Sequence, residues 1–285
     1  MGGGRTVGAA ARAALVVAAA GATVLGAVAA PAWAGGQGAP ISGDFNGDGR
    51  TDTATLGSAR VHSIDCRITV SASGQAKRTY TYLTLPDGAY CPDMGTAAQI
   101  DGTGPQEIVL TWFAGPPSGV DYELVTLRLY KKIGTAQAIW QPSFIGAADF
   151  NGDRRQDVYE WTDQGEGFRT YLSTGSGTFS PGPEFFAGQP RQFYVRDLNH
   201  NGAADTVLSY FDVSAGATGV AVLLDNGAVQ QLQRDPEAGR EWTVRVAYAN
   251  GDRYPDVVTT ERGTGRQAWF ANTGTGHFIP MPAPR

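Results

Sequence analysis

Short runs of apolar and β-branched residues alternate with clusters of glycine, asparagine, aspartate and proline along most of the chain. Three such runs, 157–161, 206–210 and 256–260, each follow an acidic cluster directly. Runs of this length, rich in valine, threonine and tyrosine and bounded by turn residues, are typical of β-strands. Beyond residue 34 no long stretch has the 3.6-residue period of a helix. The pattern therefore predicts an all-β protein.

The acidic clusters recur at a nearly constant spacing. Their starting positions are 55, 50, 48 and 51 residues apart. This period is too long for a leucine-rich or ankyrin repeat and suits one four-stranded blade of a β-propeller. We therefore expect five four-stranded blades, with six or seven irregular blades as the alternative. The nine-residue clusters are called loops 1 to 5 and span 44–52, 99–107, 149–157, 197–205 and 248–256.

The N-terminal segment has the pattern of a secretory signal. Arg5 and Arg12 precede an uncharged run at 13–30, and Ala-Trp-Ala follows at 32–34. Small residues at these spacings are typical of a cleavage site. A membrane anchor is the alternative, because a run of this length can just cross a bilayer. Alanine and glycine make the run weakly hydrophobic, so a cleaved signal peptide over 1–34 is the prediction.

The remaining residues, 35–285, are expected to form one propeller domain that is secreted and has no stable membrane anchor after cleavage. The whole chain carries a net charge of −5 and no basic stripe, which argues against nucleic-acid partners. We expect a monomer whose partner is an extracellular protein or a glycan. The five repeats are expected near 41–95, 96–145, 146–193, 194–244 and 245–285.

The only two cysteines, Cys66 and Cys91, lie in the first repeat. In an oxidising compartment, a pair at this spacing is expected to form a structural disulfide. A metal-binding or catalytic thiol pair is not favoured, because the two cysteines do not form a Cys-x-x-Cys motif. The sequence therefore predicts one disulfide within the first blade.

The loops place oxygen-bearing residues at alternate positions, as calcium ligation requires. Calcium takes six to eight oxygen ligands in a flexible shell. Side chains at positions one, three, five and nine and the carbonyl of position seven can supply them. The predicted ligands are Asp44, Asn46, Asp48, Arg50 and Asp52 in loop 1; Asp149, Asn151, Asp153, Arg155 and Asp157 in loop 3; Asp197, Asn199, Asn201, Ala203 and Asp205 in loop 4; and Asn250, Asp252 and Asp256 in loop 5.

The loops differ in the number of carboxylates that they offer. Loops 1 and 3 offer three each, whereas loop 4 offers two and has His200 where glycine is usual. In loop 5, Tyr248 replaces the first carboxylate, and loop 2 has lost enough ligands to be expected only as a turn. We therefore expect two calcium sites, and up to four.

Two other interpretations explain the loops less well. Asparagine, aspartate and glycine favour turns by themselves, but turn propensity does not explain carboxylates repeated at positions one, five and nine. An EF-hand begins similarly and continues to an acid at position twelve and a helix. Position twelve is Thr55, Glu160, Leu208 and Thr259 in the four better loops, and strands flank them.

The loops, together with Tyr-Leu-Ser-Thr-Gly-Ser-Gly-Thr-Phe at 171–179 and a similar segment at 269–278, resemble the FG-GAP/VCBS repeat of secreted bacterial proteins. That family is related to the calcium-bearing blades of integrin α-subunit propellers. The resemblance implies that each loop joins the first and second strands of a blade and holds calcium. No Phe-Gly dipeptide occurs. The chain therefore resembles VCBS repeats more than integrin-type repeats, which weakens the argument for integrin-like adhesion.

No catalytic motif accounts for the remaining polar residues. The sequence lacks Gly-x-Ser-x-Gly, His-Glu-x-x-His and nucleotide-binding glycine loops. The expected function is therefore a binding module, although a glycan lyase or hydrolase and a lectin stay open. A lectin would use aromatic side chains that follow the loops, but aromatic residues at such positions more often pack between sheets. These side chains are Trp112, Trp161 and Tyr210.

Overall fold

The structure is a computed structural model. It describes 40–60, 64–85, 91–92, 94–113, 122–128, 131–138, 143–162, 167–186, 188–236 and 239–283. The predicted signal peptide, 1–34, lies outside these residues. In the described part of the chain, no helix is long and apolar enough to cross a membrane.

In the described residues, twenty strands form five four-stranded antiparallel sheets, each from four consecutive strands. Sheet 1 consists of β1 (Ile41–Gly43), β2 (Asp52–Arg60), β3 (Ile64–Ser71) and β4 (Arg78–Leu85). Sheet 2 consists of β5 (Met94–Ala98), β6 (Glu107–Phe113), β7 (Tyr122–Arg128) and β8 (Lys131–Ala138). Sheet 3 consists of β9 (Phe144–Ala148), β10 (Asp157–Thr162), β11 (Gly167–Ser173) and β12 (Phe179–Phe185). Sheet 4 consists of β13 (Gln189–Arg196), β14 (Asp205–Asp212), β15 (Ala217–Leu223) and β16 (Val229–Asp235). Sheet 5 consists of β17 (Trp242–Ala247), β18 (Asp256–Glu261), β19 (Gln267–Asn272) and β20 (Phe278–Met281).

The all-β prediction is confirmed. Every sheet is a meander in which sequence neighbours are hydrogen-bonded neighbours, and each acidic loop connects the first strand to the second, as the resemblance implied. The predicted repeat boundaries at 96, 146, 194 and 245 fall inside first strands rather than between sheets. Because every acidic loop connects the first strand of its sheet to the second, the loops occupy the same end of each of the five sheets.

Burial along the strands shows which sheets are covered on both faces. In β2 of sheet 1, Ala54 is buried while Thr53 and Thr55 are exposed, the alternation of a sheet with one solvated face. In β15 of sheet 4, all seven residues are buried. Continuous burial of this kind requires neighbouring sheets on both faces, so sheet 4 is stacked between two others.

Four apolar clusters join successive sheets, and each takes residues from two of them. They contain Ile41, Ile68, Ile108 and Leu110 between sheets 1 and 2; Ile100, Val109, Val158 and Tyr171 between sheets 2 and 3; Phe150, Tyr159, Leu208 and Tyr210 between sheets 3 and 4; and Val207, Val220, Val257 and Phe270 between sheets 4 and 5. Among the described residues, none of these clusters joins sheet 5 to sheet 1. The arrangement is consistent with a propeller-like fold, while ring closure and the blade count stay predictions.

Cys66 and Cys91 form the expected disulfide, with their Cα atoms 5.3 Å apart. Cys66 lies in β3 and is fully buried. The bridge thus fixes the segment before sheet 2 against the interior of sheet 1.

Replacing both cysteines by serine is expected to lower the free energy of unfolding by about 3 kcal/mol, from the entropy of closing a loop of this length. Chemical denaturation of the oxidised parent and of the double variant measures the difference. Adding a reductant should reproduce the effect in the parent and leave the variant unchanged. Equal stability of both proteins would show that the bridge does not constrain the unfolded chain.

Candidate metal-binding loops

The five loops share one backbone conformation. Position four has a positive φ in every loop: 78° at Gly47, 79° at Gly102, 73° at Gly152, 60° at His200 and 79° at Gly251. Left-handed backbone is costly for residues with a Cβ, which explains the glycine preference. His200 therefore adopts the strained conformation that the sequence pattern assigns to glycine.

The apolar residue at position two anchors each loop in the sheet interior. Phe45, Ile100, Phe150 and Leu198 are at most 2% exposed. Ala249 in loop 5 is partly buried and contributes less apolar area. The loops are thus fixed at their second residue before any ligand is considered.

The acid at position nine is buried in all five loops and accepts the backbone N–H of position two. These acids, Asp52, Glu107, Asp157, Asp205 and Asp256, are at most 1% exposed. The N···O distances lie between 2.7 and 3.0 Å. A buried N–H without an acceptor costs free energy, so this carboxylate closes the loop as a structural element.

In four loops, the second oxygen of the same carboxylate accepts a backbone N–H from the end of the third strand. The donors are Ser73, Ser173, Asp225 and Asn272, at 2.7 to 2.9 Å. One carboxylate therefore joins the loop to the end of the third strand of its own sheet. We call this arrangement the position-nine clamp.

Burial makes it costly for the position-nine acids to be ionised. Desolvation raises the pKa of Asp157 to about 6, against the lowering effect of its two amide donors, and the nearby Asp153 and Asp149 charges raise it further. Desolvation also raises the pKa of Asp205 to about 6, with Asp225 adding to the shift. A cation near the loop would offset this mutual repulsion.

The outer acids of loop 1 are engaged with the loop itself. Asp44 accepts N–H groups from Gly47, Asp48 and Gly49 at 2.6, 3.2 and 2.8 Å. Asp48 accepts the Arg50 N–H at 2.9 Å and a hydrogen bond from the Ser73 hydroxyl. The pKa of Asp48 is lowered, chiefly by that hydroxyl. The loop backbone is thus wrapped around the carboxylates at positions one and five.

The donor set of loop 1 fits calcium, and loop 3 repeats it with one difference, because its Asp153 already accepts the Arg155 guanidinium at 2.5 Å. A carboxylate offers about four lone-pair positions, of which Asp44 uses three and Asp52 two within the chain. The positions left over, the amide oxygen of Asn46 and the carbonyl of Arg50 are all hard oxygen donors. Among the described residues, no three His, Cys, Asp or Glu side chains converge as a ligand group by themselves. Calcium in these loops would therefore depend on the amide and carbonyl oxygens as well as on the acids.

In loop 2, an arginine side chain pairs with the acids. Arg128 at the end of β7 donates to Glu107 at 2.9 Å and to Asp101 at 2.6 Å. The guanidinium thus pairs both remaining acids of the loop, which keeps the same backbone conformation as the others. This arrangement gives a physical reason for the loss of ligands at loop 2, and no motif in the sequence indicates it.

Neighbouring loops are hydrogen-bonded through positions one and eight. The backbone N–H of Gln106 donates to the Asp44 carbonyl at 2.8 Å, and the Gln106 side-chain oxygen accepts the Asp44 N–H at 2.9 Å. Gln156 makes the same pair of contacts with Gln99, at 2.7 Å each. Ala204 repeats the backbone bond to Asp149 alone, at 2.6 Å. These contacts hold loops 1 to 4 in one row.

The aromatic residues considered for sugar stacking lie in the core where the structure describes them. Tyr210 is 1% exposed, and its ring covers Gly219 on the adjacent strand, where a Cβ would approach to 2.6 Å. Trp161 is partly buried against Phe193, with ring centroids 5.7 Å apart. The side chain of Trp112 lies outside the described set. Core packing is therefore the role of the two described side chains.

Three acids, Glu160, Asp163 and Glu166, follow loop 3 in the sequence, and Glu160 is deeply buried. Glu160 is fully buried and accepts the Tyr171 hydroxyl at 2.6 Å, while its other oxygen has no hydrogen-bond partner in the described residues. Burial raises the pKa of Glu160 to about 7, opposed by Tyr171 and Arg169. Asp163 and Glu166 lie outside the described residues. Glu160 lies between sheets rather than in an open cleft, so its position does not support a glycosidase carboxylate pair.

Comparison with known proteins gives one family. Residues 149–208, which include loops 3 and 4, match the model of the FG-GAP-like repeat. Residues 149–208 thus form an FG-GAP-like repeat, the repeat that the sequence resemblance indicated. No curated protein matches the chain.

Proposed function

We propose that residues 35–285 form a secreted, calcium-stabilised β-propeller of five blades that acts as an interaction module for an extracellular protein or glycan. The observation that carries the proposal is the recurrence of one loop conformation at the same end of five sheets, with clustered acids in loops 1 and 3. The FG-GAP repeat match supports a β-propeller-like interaction module.

Calcium in this proposal is structural. In loop 3, burial raises the pKa of Asp157 to about 6, and repulsion by the nearby Asp153 and Asp149 charges adds to the shift. A divalent cation bound by these acids, together with the oxygens of Asn151 and Arg155, would replace repulsion by attraction. The bound loop would then hold the first and second strands together more tightly.

Calcium at a hundredfold excess over its dissociation constant is expected to raise the free energy of unfolding by about 2.7 kcal/mol per site. The melting temperature of the protein should rise accordingly. Thermal melting in calcium and in excess chelator measures the shift, and calorimetric titration of the metal-free protein counts the sites. We expect two sites. Absence of any shift would contradict calcium as the stabilising cation.

Asp48→Ala and Asp153→Ala are each expected to reduce the calcium-induced shift and to change stability little in chelator. Both side chains are solvent-exposed, so their removal leaves the core intact. Asp101→Ala is the matched control, because its acid is paired by Arg128 in loop 2. If the two variants melted like the parent in calcium, the ligand assignment would be wrong.

Enzymatic and lectin alternatives give distinct results in the same preparation. Release of reducing ends or unsaturated products from polysaccharides would indicate a hydrolase or a lyase. Saturable sugar binding without turnover would indicate a lectin.

A further inference from the structure

A cleft between sheets 4 and 5 contains hydrogen-bond donors that have no partner. Its volume is about 90 Å³, and its lining includes Arg191, Ser209, Phe211, Glu241 and Trp242. Ser209 and Phe211 lie at the end of β14, and Trp242 begins β17. The cleft is therefore at the opposite end of the strands from the acidic loops, and no predicted calcium ligand lines it.

Two buried polar atoms in the lining are unsatisfied. The Ser209 hydroxyl and the indole N–H of Trp242 have no hydrogen-bond partner in the described residues, although the residues are only 1% and 4% exposed. Buried polar groups without partners are uncommon and costly. The indole nitrogen can only donate. A ligand or water in the cleft must therefore offer acceptors.

The charged residues of the cleft leave one cation free. The Arg191 guanidinium lies 5.6 Å from the centre of the Phe211 ring, and no ion pair to it is found in the part of the chain that the structure describes. Glu241 is paired with Arg262 at 2.7 Å. Thr218, which also lines the cleft, donates to the Arg240 carbonyl. The groups without a polar partner in the described residues are thus two neutral donors and one cation, while the acid lies in an exposed ion pair with Arg262.

We propose that this cleft binds a small carboxylate, whose oxygens accept hydrogen bonds from Ser209, Trp242 and Arg191. A carboxylate has two oxygens and no donor when ionised, so it complements this set better than a neutral polyol does. The inference names a ligand class for the interaction module and rests on that proposed function. The carboxylate can belong to a uronic acid or to an acidic peptide side chain, and the experiment below separates these sources.

The test follows the Trp242 indole N–H resonance, assigned by its absence from Trp242→Phe, during titration of the folded protein. The probes are glucuronate and N-acetylaspartate, with glucose and N-acetylasparagine as neutral counterparts. A saturable shift with glucuronate alone identifies a uronic acid, and with N-acetylaspartate alone an acidic peptide. Saturation with both identifies the carboxylate itself as the recognised group.

Ser209→Ala and Arg191→Met are expected to weaken carboxylate binding about tenfold each, the effect of losing one hydrogen bond to a charged group. Arg245→Met is the matched control, because Arg245 also lies over an aromatic ring, Trp269 at 5.1 Å, away from the cleft. No saturation with either carboxylate, or equal affinity of Arg191→Met and the parent, would overturn the proposal. Titration in calcium and in chelator keeps this outcome separate from the melting test of the propeller.

Discussion

Replacing Asp256 by alanine is expected to lower the free energy of unfolding by about 4 kcal/mol, because three backbone N–H groups lose their acceptor at once. Asp256 accepts from Ala249 at 2.7 Å, from Asn250 at 3.0 Å and from Asn272 at 2.9 Å, and is fully buried. Water cannot readily replace the carboxylate at the Asn272 N–H, which is buried. Chemical denaturation at constant calcium measures the loss.

Asp252→Ala in the same loop is the matched control. Asp252 is exposed and accepts only from loop neighbours, Tyr254 N–H at 2.7 Å and the Asn250 amide at 2.8 Å, so a loss of less than about 1 kcal/mol is expected. Loop 5 lacks the first carboxylate, which makes it a suitable place to separate the clamp from metal binding. The Asp256→Ala loss should therefore persist in chelator. If chelator abolished it, the position-nine acid would act through a cation rather than through the amides.

The conformation of the loops could be predicted from the sequence because its determinants are local. Glycine at position four and acids at alternate positions lie within nine residues, and the structure shows the positive φ that the glycines permit. The order of strands around each loop was also predictable, since consecutive strands pair in every sheet. The outer partners of the clamp could not be predicted in the same way. Asn272 lies 16 residues from Asp256 and meets it only because the third strand ends beside the loop.

The cation of loop 2 and the cleft depend on register between strands. Arg128 is 21 residues from Glu107 and carries no motif. The cleft collects side chains from several strands of two sheets. A change of one residue in register would turn these side chains to the other face. Sequence reasoning that treats one segment at a time identifies the loops and misses both features.

Replacing Glu160 by glutamine is expected to reduce the loss of stability that the parent shows between pH 5 and pH 8. The pKa of Glu160 is raised to about 7 by burial, against about 4.3 in an unfolded chain. Between these values the folded state binds more protons than the unfolded state, so the free energy of unfolding falls as pH rises. The loss amounts to about 3 kcal/mol at most. Below the unfolded pKa, parent and variant should be equally stable.

The glutamine keeps the hydrogen bond from Tyr171, because its carbonyl oxygen can accept where the carboxylate oxygen did. What it removes is the charge on a fully buried group whose second oxygen has no partner in the described structure. Glu184→Gln is the matched control: Glu184 faces Arg169 across the same sheet and is exposed. Denaturation at pH 5 and pH 8 should therefore show a clearly larger stability advantage of the variant over the parent at pH 8 than at pH 5, with the control close to the parent at both. An unchanged pH profile in Glu160→Gln would mean that Glu160 stays ionised in the folded protein, with Arg169 providing enough of a counter-charge to offset its burial.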